Sequence, residues 1–179
     1  MKSRMLGFIG VIGTLVVAAT IRPAAQSPTL QSDLLKDWTN MKGTITKIGD
    51  AMPEDKFGYK PTPAQRTFGE QLLHIAGANV GLMKTLGAKA TPPTIDQKAT
   101  SKAAILKAVA DSYDYGIEVL KEQTDQSLLE SVKGPSFIGT ATRARLVWAT
   151  IGHAWDEYGA MTTYLRLNNI VPPASRGSM

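Results

Sequence analysis

The chain has 179 residues, 43% of them hydrophobic, with two histidines, no cysteine and a formal net charge of +5. That length suits one domain with a real core rather than two. Without cysteine there can be no disulfide, thiolate ligand or thiol nucleophile. Basic residues form no run interleaved with aromatics, so no nucleic-acid partner is expected.

The first segment, "MKSRMLGFIGVIGTLVVAATIRPAAQS", begins with Lys2 and Arg4 and continues as an uncharged apolar run from Met5 to Ile21. It then reaches small residues at Ala24 and Ala25. This is the build of a secretory signal peptide over residues 1–25, and it predicts an exported protein, periplasmic or secreted. The other reading is an uncleaved membrane anchor, because the run is near the lower limit for spanning a bilayer. Its glycines and threonines, and the "RPAAQ" that follows, favour cleavage, so a membrane is expected as a partner only if the segment is retained. Cleavage takes Lys2, Arg4 and Arg22 from the formal charge and no acid, which makes the basic pI of about 9.5 partly a property of the targeting segment. The remaining domain is expected over residues 26–179.

Four helices are predicted along that domain. In the first, about Ser32 to Ala51, Leu34, Trp38, Met41, Ile45, Ile48 and Met52 recur at steps of four and three, an amphipathic stripe. Pro53, Pro61 and Pro63 in "MPEDKFGYKPTPAQRT" prevent its continuation. Thr67 and Glu70 form a capping box for a second helix, about Phe68 to Leu86, which Gly87 stops. After "AKATPPTIDQKAT", Ser101 caps a third helix, about Lys102 to Gln123, with Ile105, Val109, Ser112 and Gly116 on its apolar face. The connection "TDQSLLESVKGPSFIGTAT" is long and has room for a short helical turn or a hairpin near Leu128 to Ile138. The fourth helix, about Thr142 to Leu167, is strongly periodic and ends at "NNIVPPASRGSM". No strand pattern of useful length and no repeat is seen. The expected fold class is all-α, a four-helix bundle.

Both histidines fall mid-helix on inward-facing positions. His153 and Glu157 lie one turn apart in "TIGHAWDEYGAMTTYL", and residues four apart on a helix have Cβ atoms about 5–6 Å apart, close enough to share one ion. His74, in "FGEQLLHIAGANVGLM", shares a face with Gly77, Ala78 and Gly81, where small side chains leave room for a ligand or another helix. Purely structural readings compete with a metal site. His74 would be a core-edge histidine bonded to a carbonyl, and His153 with Glu157 a helix-stabilising pair worth about 0.2–0.5 kcal/mol. Asp156 and Tyr158 flank Glu157 but point well to either side of it.

Read together, "MPEDKFGYKPTPAQRTFGEQLLHIAGAN" and "GHAWDEYGAMTTYLRLNNIVPPAS", with Trp38 in the first helix, resemble the DinB/YfiT-like superfamily of proposed metalloenzymes. (The lesion-bypass polymerase that shares the name is unrelated.) The resemblance implies an up-down-down-up bundle with a divalent metal held by three histidines, one from the second helix and two spaced four apart on the last. By position His74 and His153 take two of these roles. Glu157 stands where the third histidine usually is, and Ala160 stands where Gln or Asn commonly occurs. Two imidazoles and a carboxylate still form a recognised facial set, suited to Zn foremost, with Fe, Ni or Mn as alternatives. The carboxylate makes the site less positive than three imidazoles would.

The function expected from this resemblance is a metal-dependent hydrolase of a small-molecule substrate. Some relatives transfer low-molecular-weight thiols, but export to an oxidising compartment argues against that chemistry here. The alternative is a non-catalytic envelope binding protein that keeps the bundle with a degenerate metal site. The oligomer considered is a homodimer.

Overall fold

A computed structural model of the chain describes residues 27–177; the expected signal peptide over residues 1–25 lies outside the described residues. Four long helices, α1 (Leu30–Ala51), α2 (Phe68–Lys84), α3 (Lys102–Lys121) and α5 (Arg143–Leu167), form a bundle. A short helix α4 (Asp125–Leu129) and a two-stranded hairpin, β1 (Ser131–Lys133) with β2 (Thr140–Thr142), connect α3 to α5. The long connection thus contains both a helical turn and a hairpin, in a register that pairs Val132 with Ala141. Among the described residues, no helix is long and apolar enough to cross a membrane.

Side-chain pairings set the helix directions. Trp38 near the start of α1 meets Tyr113 of α3, while Gly49 near its end meets Leu106, so these helices run antiparallel. Gly69 faces Ile105 and Asn79 bonds Ser112, so α2 and α3 run parallel. The Tyr164 hydroxyl donates to the Arg66 carbonyl and Arg143 donates to the Leu86 carbonyl, so α5 runs antiparallel to α2. The order is therefore up, down, down, up, with α1 and α2 each packed against α3 and α5.

The predicted stripe of α1 is buried throughout: Trp38, Met41, Ile45, Ile48 and Met52 are at most 1% exposed. The Trp38 indole N–H donates to the Tyr113 carbonyl at 2.9 Å. Room for the indole comes from Gly116, where a Cβ would lie 2.3 Å from its ring carbons.

The start of α2 is held unusually completely. Its first two amides, of Phe68 and Gly69, donate to the carbonyls of Tyr59 and Phe57 at 2.9 Å. The Glu70 amide donates to the Thr67 hydroxyl, and the Glu70 carboxylate accepts from the Thr67 amide at 2.7 Å, which holds that carboxyl below its ordinary pKa. The rings of Phe57 and Phe68 meet edge to face, and Tyr164 packs on Phe68 and Tyr59. This fixes the rotation of α2, and so the direction in which His74 projects. At the far end of α5, Asn169 adopts φ 59° while the amides of Asn169 and Ile170 donate to the carbonyls of Arg166 and Leu165. These are the two bonds of a Schellman stop.

Candidate metal centre

His74 projects from the middle of α2, and His153 and Glu157 project from the middle of α5, onto the same side of the interface between the two helices. Glu157 Oε1 lies 3.4 Å from His74 Nε2 and 3.8 Å from His153 Nε2. The imidazole rings are perpendicular, with centroids 5.0 Å apart. One donor atom from each of the three residues falls within a span of 4.8 Å. Donors around a tetrahedral ion with bonds of about 2.0–2.1 Å sit roughly 3.3 Å from one another. The two carboxylate–imidazole separations lie within about 0.5 Å of that spacing, and no pair of the three donors exceeds 4.8 Å, so one ion would draw the groups together by a contraction of the site.

The surroundings agree with that fit. Glu157 is 7% exposed, yet among the described residues its carboxylate accepts no hydrogen bond from a backbone amide or hydroxyl. A carboxylate largely removed from water, with no such donor and only a remnant of solvent contact, is costly unless a positive charge meets it. Neither imidazole bonds to a carbonyl, as a structural core-edge histidine would; each has Glu157 as its polar neighbour. The carboxylate also lies closer to His74 across the interface than to His153 on its own helix, which is not the geometry of a simple intrahelical pair.

Burial raises the Glu157 carboxyl, partly offset by the neighbouring His153 and Arg66, while Asp156 adds to the rise. Burial also lowers the His74 imidazole, with Arg66 and His153 acting in the same direction. Proximity would describe His74 and Glu157 as an ion pair, but both displacements favour the neutral forms, and burial is the dominant cause in each. Neutral imidazole is the form that binds metal, and a divalent ion would supply the charge that the carboxylate lacks.

The residues expected to flank the site behave as predicted in part. Asp156 is exposed and Tyr158 is half-buried, its ring edge-on to Trp155. Ala78 and Gly81 are open toward a cleft beside the histidines, but the side of Gly77 is covered by Gln97, whose amide donates to the Leu73 carbonyl. Two contributions were not foreseen. Arg66 lines a recess with His74, and the hairpin loop brings Pro135, Phe137 and Ile138 to the cleft. The cues are visible in hindsight: Arg66 immediately precedes the capping box, and "GPSFIG" places large apolar residues in a turn sequence.

The bundle is similar to two solved structures. A DinB-like protein from Bacillus cereus aligns with a TM-score of 0.69 at 21% identity, over 78% of this chain and 93% of that one. A DinB-like protein from Bacillus subtilis aligns with a TM-score of 0.62 at 12% identity, over 76% of this chain and 92% of that one. At these identities the likeness bears on the fold alone. A search of curated proteins finds no match. The model of the DinB superfamily matches residues 39–161, from within α1 to within α5, and by that match the chain belongs to the DinB superfamily.

Proposed function

We propose that this is an exported metal-dependent hydrolase of a small-molecule substrate, with His74, His153 and Glu157 holding a divalent ion between α2 and α5. Zn is the first choice, and Fe, Ni or Mn are the alternatives. The observation that carries the reading is the convergence of three donors from two helices within 4.8 Å of one another, one of them a largely buried carboxylate that accepts from no backbone amide or hydroxyl.

When bound, such an ion supplies Lewis acidity toward a substrate oxygen and lowers the pKa of a coordinated water. The chain's own groups set the conditions for this. The two imidazoles are partly exposed on their outer edges, at 34% and 27% of their side-chain surface, which leaves an approach from solvent. Glu157 closes the inner side and contributes the one negative charge. Arg66, in the recess beside His74, offers a positive charge to an anionic group on an incoming molecule.

Elemental analysis of gently purified protein tests the reading directly. We expect near-stoichiometric metal in the wild type and its loss in both His74→Ala and His153→Ala. A wild-type protein free of metal after purification and after incubation with Zn, Fe, Ni and Mn would remove the enzymatic reading. The carboxylate at the third ligand position favours one competitor, a non-catalytic envelope binding protein built on the same bundle. That reading predicts ligand binding unaffected by either histidine substitution.

A further inference from the structure

Two recesses of opposite character meet at His74. One is a cleft of about 430 Å3 that reaches both imidazoles. Its floor is made of small residues on the two antiparallel helices, Ala78 and Gly81 of α2 and Ala149 of α5; the hairpin loop forms its wall with Pro135, Phe137 and Ile138. Phe137 is 79% exposed, an unusual position for a phenylalanine. Gly81 is exposed at the cleft, and a Cβ placed on it would meet no atom within 4 Å, so a larger side chain there can project into the cleft without a clash. The other recess, about 370 Å3, is polar and is lined by Arg66, Gln65, Glu70 and Gln97 as well as His74. The Arg66 guanidinium makes no ion pair among the described residues. Both volumes fall in the range of small-molecule sites, which combine apolar walls with a few orienting polar groups.

We propose that this site takes an amphiphile, a carboxylic acid or its ester or amide, with an apolar tail of medium length along the Gly81–Phe137 cleft and its head beside His74, facing Arg66. The proposal rests on the metal reading for how the head is held, but the tail site stands on the cleft alone. Tail selection would come from the length and floor of the cleft, and head selection from Arg66 and the histidine edge.

The test is calorimetric titration of the full chain with butanoate, hexanoate, octanoate and decanoate, metal-loaded and after chelation, with metal content measured in parallel. Affinity should rise roughly two- to fourfold per added methylene, as burial of apolar surface predicts. Gly81→Leu fills the floor where the backbone has free space and favours helix, so it should fold. It should flatten the dependence on chain length while metal content stays the same. Phe137→Ala, at an exposed loop position, should weaken octanoate several-fold and serves if the first variant is poorly behaved. Arg66→Gln should weaken every carboxylate by a similar factor and leave the matching alcohols unaffected.

No binding of any acid, or the same chain-length slope in wild type, Gly81→Leu and Phe137→Ala, overturns the proposal. The failures are separable. A slope that Gly81→Leu abolishes in a protein that never holds metal removes the metal reading and keeps this one. Stoichiometric metal with a slope that is absent, or that neither cleft variant changes, does the reverse.

Discussion

Nε2 of His74 and Oε1 of Glu157 are 3.4 Å apart across the interface of α2 and α5, while the histidine on the carboxylate's own helix stands at 3.8 Å. The carboxylate is thus shared between helices, and it is the group through which the two imidazoles are related. Replacing it by an isostere without charge, Glu157→Gln, should reduce metal affinity by more than the 10–100-fold typical for loss of an outer hydrogen-bonding partner. Competition against a chromophoric chelator measures this. An affinity within threefold of wild type would mean that the carboxylate is not a ligand.

Glu157→His restores the set of three imidazoles implied by the sequence resemblance. It should hold Zn more tightly, read in the same competition assay. Weaker retention would show that the backbone here is placed for the shorter reach of a carboxylate.

The metal-free protein should carry a pH signature with two opposing parts. Glu157 is raised above its ordinary 4.5, mainly by burial, so its ionisation opposes folding. That cost is absent below 4.5 and grows as the pH rises through the folded value. His74 is lowered from 6.5, again mainly by burial, so its protonation opposes folding and stability falls as the pH drops below 6.5. Metal-free Glu157→Gln should therefore melt above metal-free wild type at neutral pH and higher, with the gap closing toward pH 4.5. In a domain of this size each kcal/mol appears as about 2–4 °C in Tm. With metal added the order should invert. A gap that is constant across the pH range would contradict the burial argument.

Two glycine substitutions should separate packing from propensity. Gly116→Ala drives a methyl to 2.3 Å from the rigid Trp38 indole, and should cost about 1–3 kcal/mol, as overpacking does. Gly152→Ala, mid-helix in α5 with nothing within 4 Å of its Cβ, should instead stabilise by up to about 1 kcal/mol. Thermal or urea denaturation of both variants is sufficient. Equal effects would mean that α1 and α3 can move apart at little cost.

The helices were legible because each carries its own period and its own stop. Thr67, Ser101 and Thr142 all act as N-caps, and the α1 stripe is buried residue for residue. The candidate site was legible for a related reason: polar residues at inward phase cannot be explained by the core around them, and the chain has only two histidines to bring together. The hairpin was harder, since three-residue strands offer too little alternation to detect; their pairing depends on Gly134 and Gly139 closing the turn, with Gly139 at φ 71°. Tyr113 was also missed. It is fully buried beside Trp38, but its phase lies between the main stripe of α3 and its flank, so only the docking of α1 explains it. Arg66 and Phe137 leave only slight cues in the sequence, because their relation to His74 depends on how loops return over the helix faces.

The three donors come from two helices widely separated along a chain that has no cysteine. An ion gripped by all of them would act as a removable rivet, tying the second and last helices together by binding the folded chain and not the unfolded one. The last helix would then resist proteases while the rivet is in place and become the first segment cut once a chelator withdraws it.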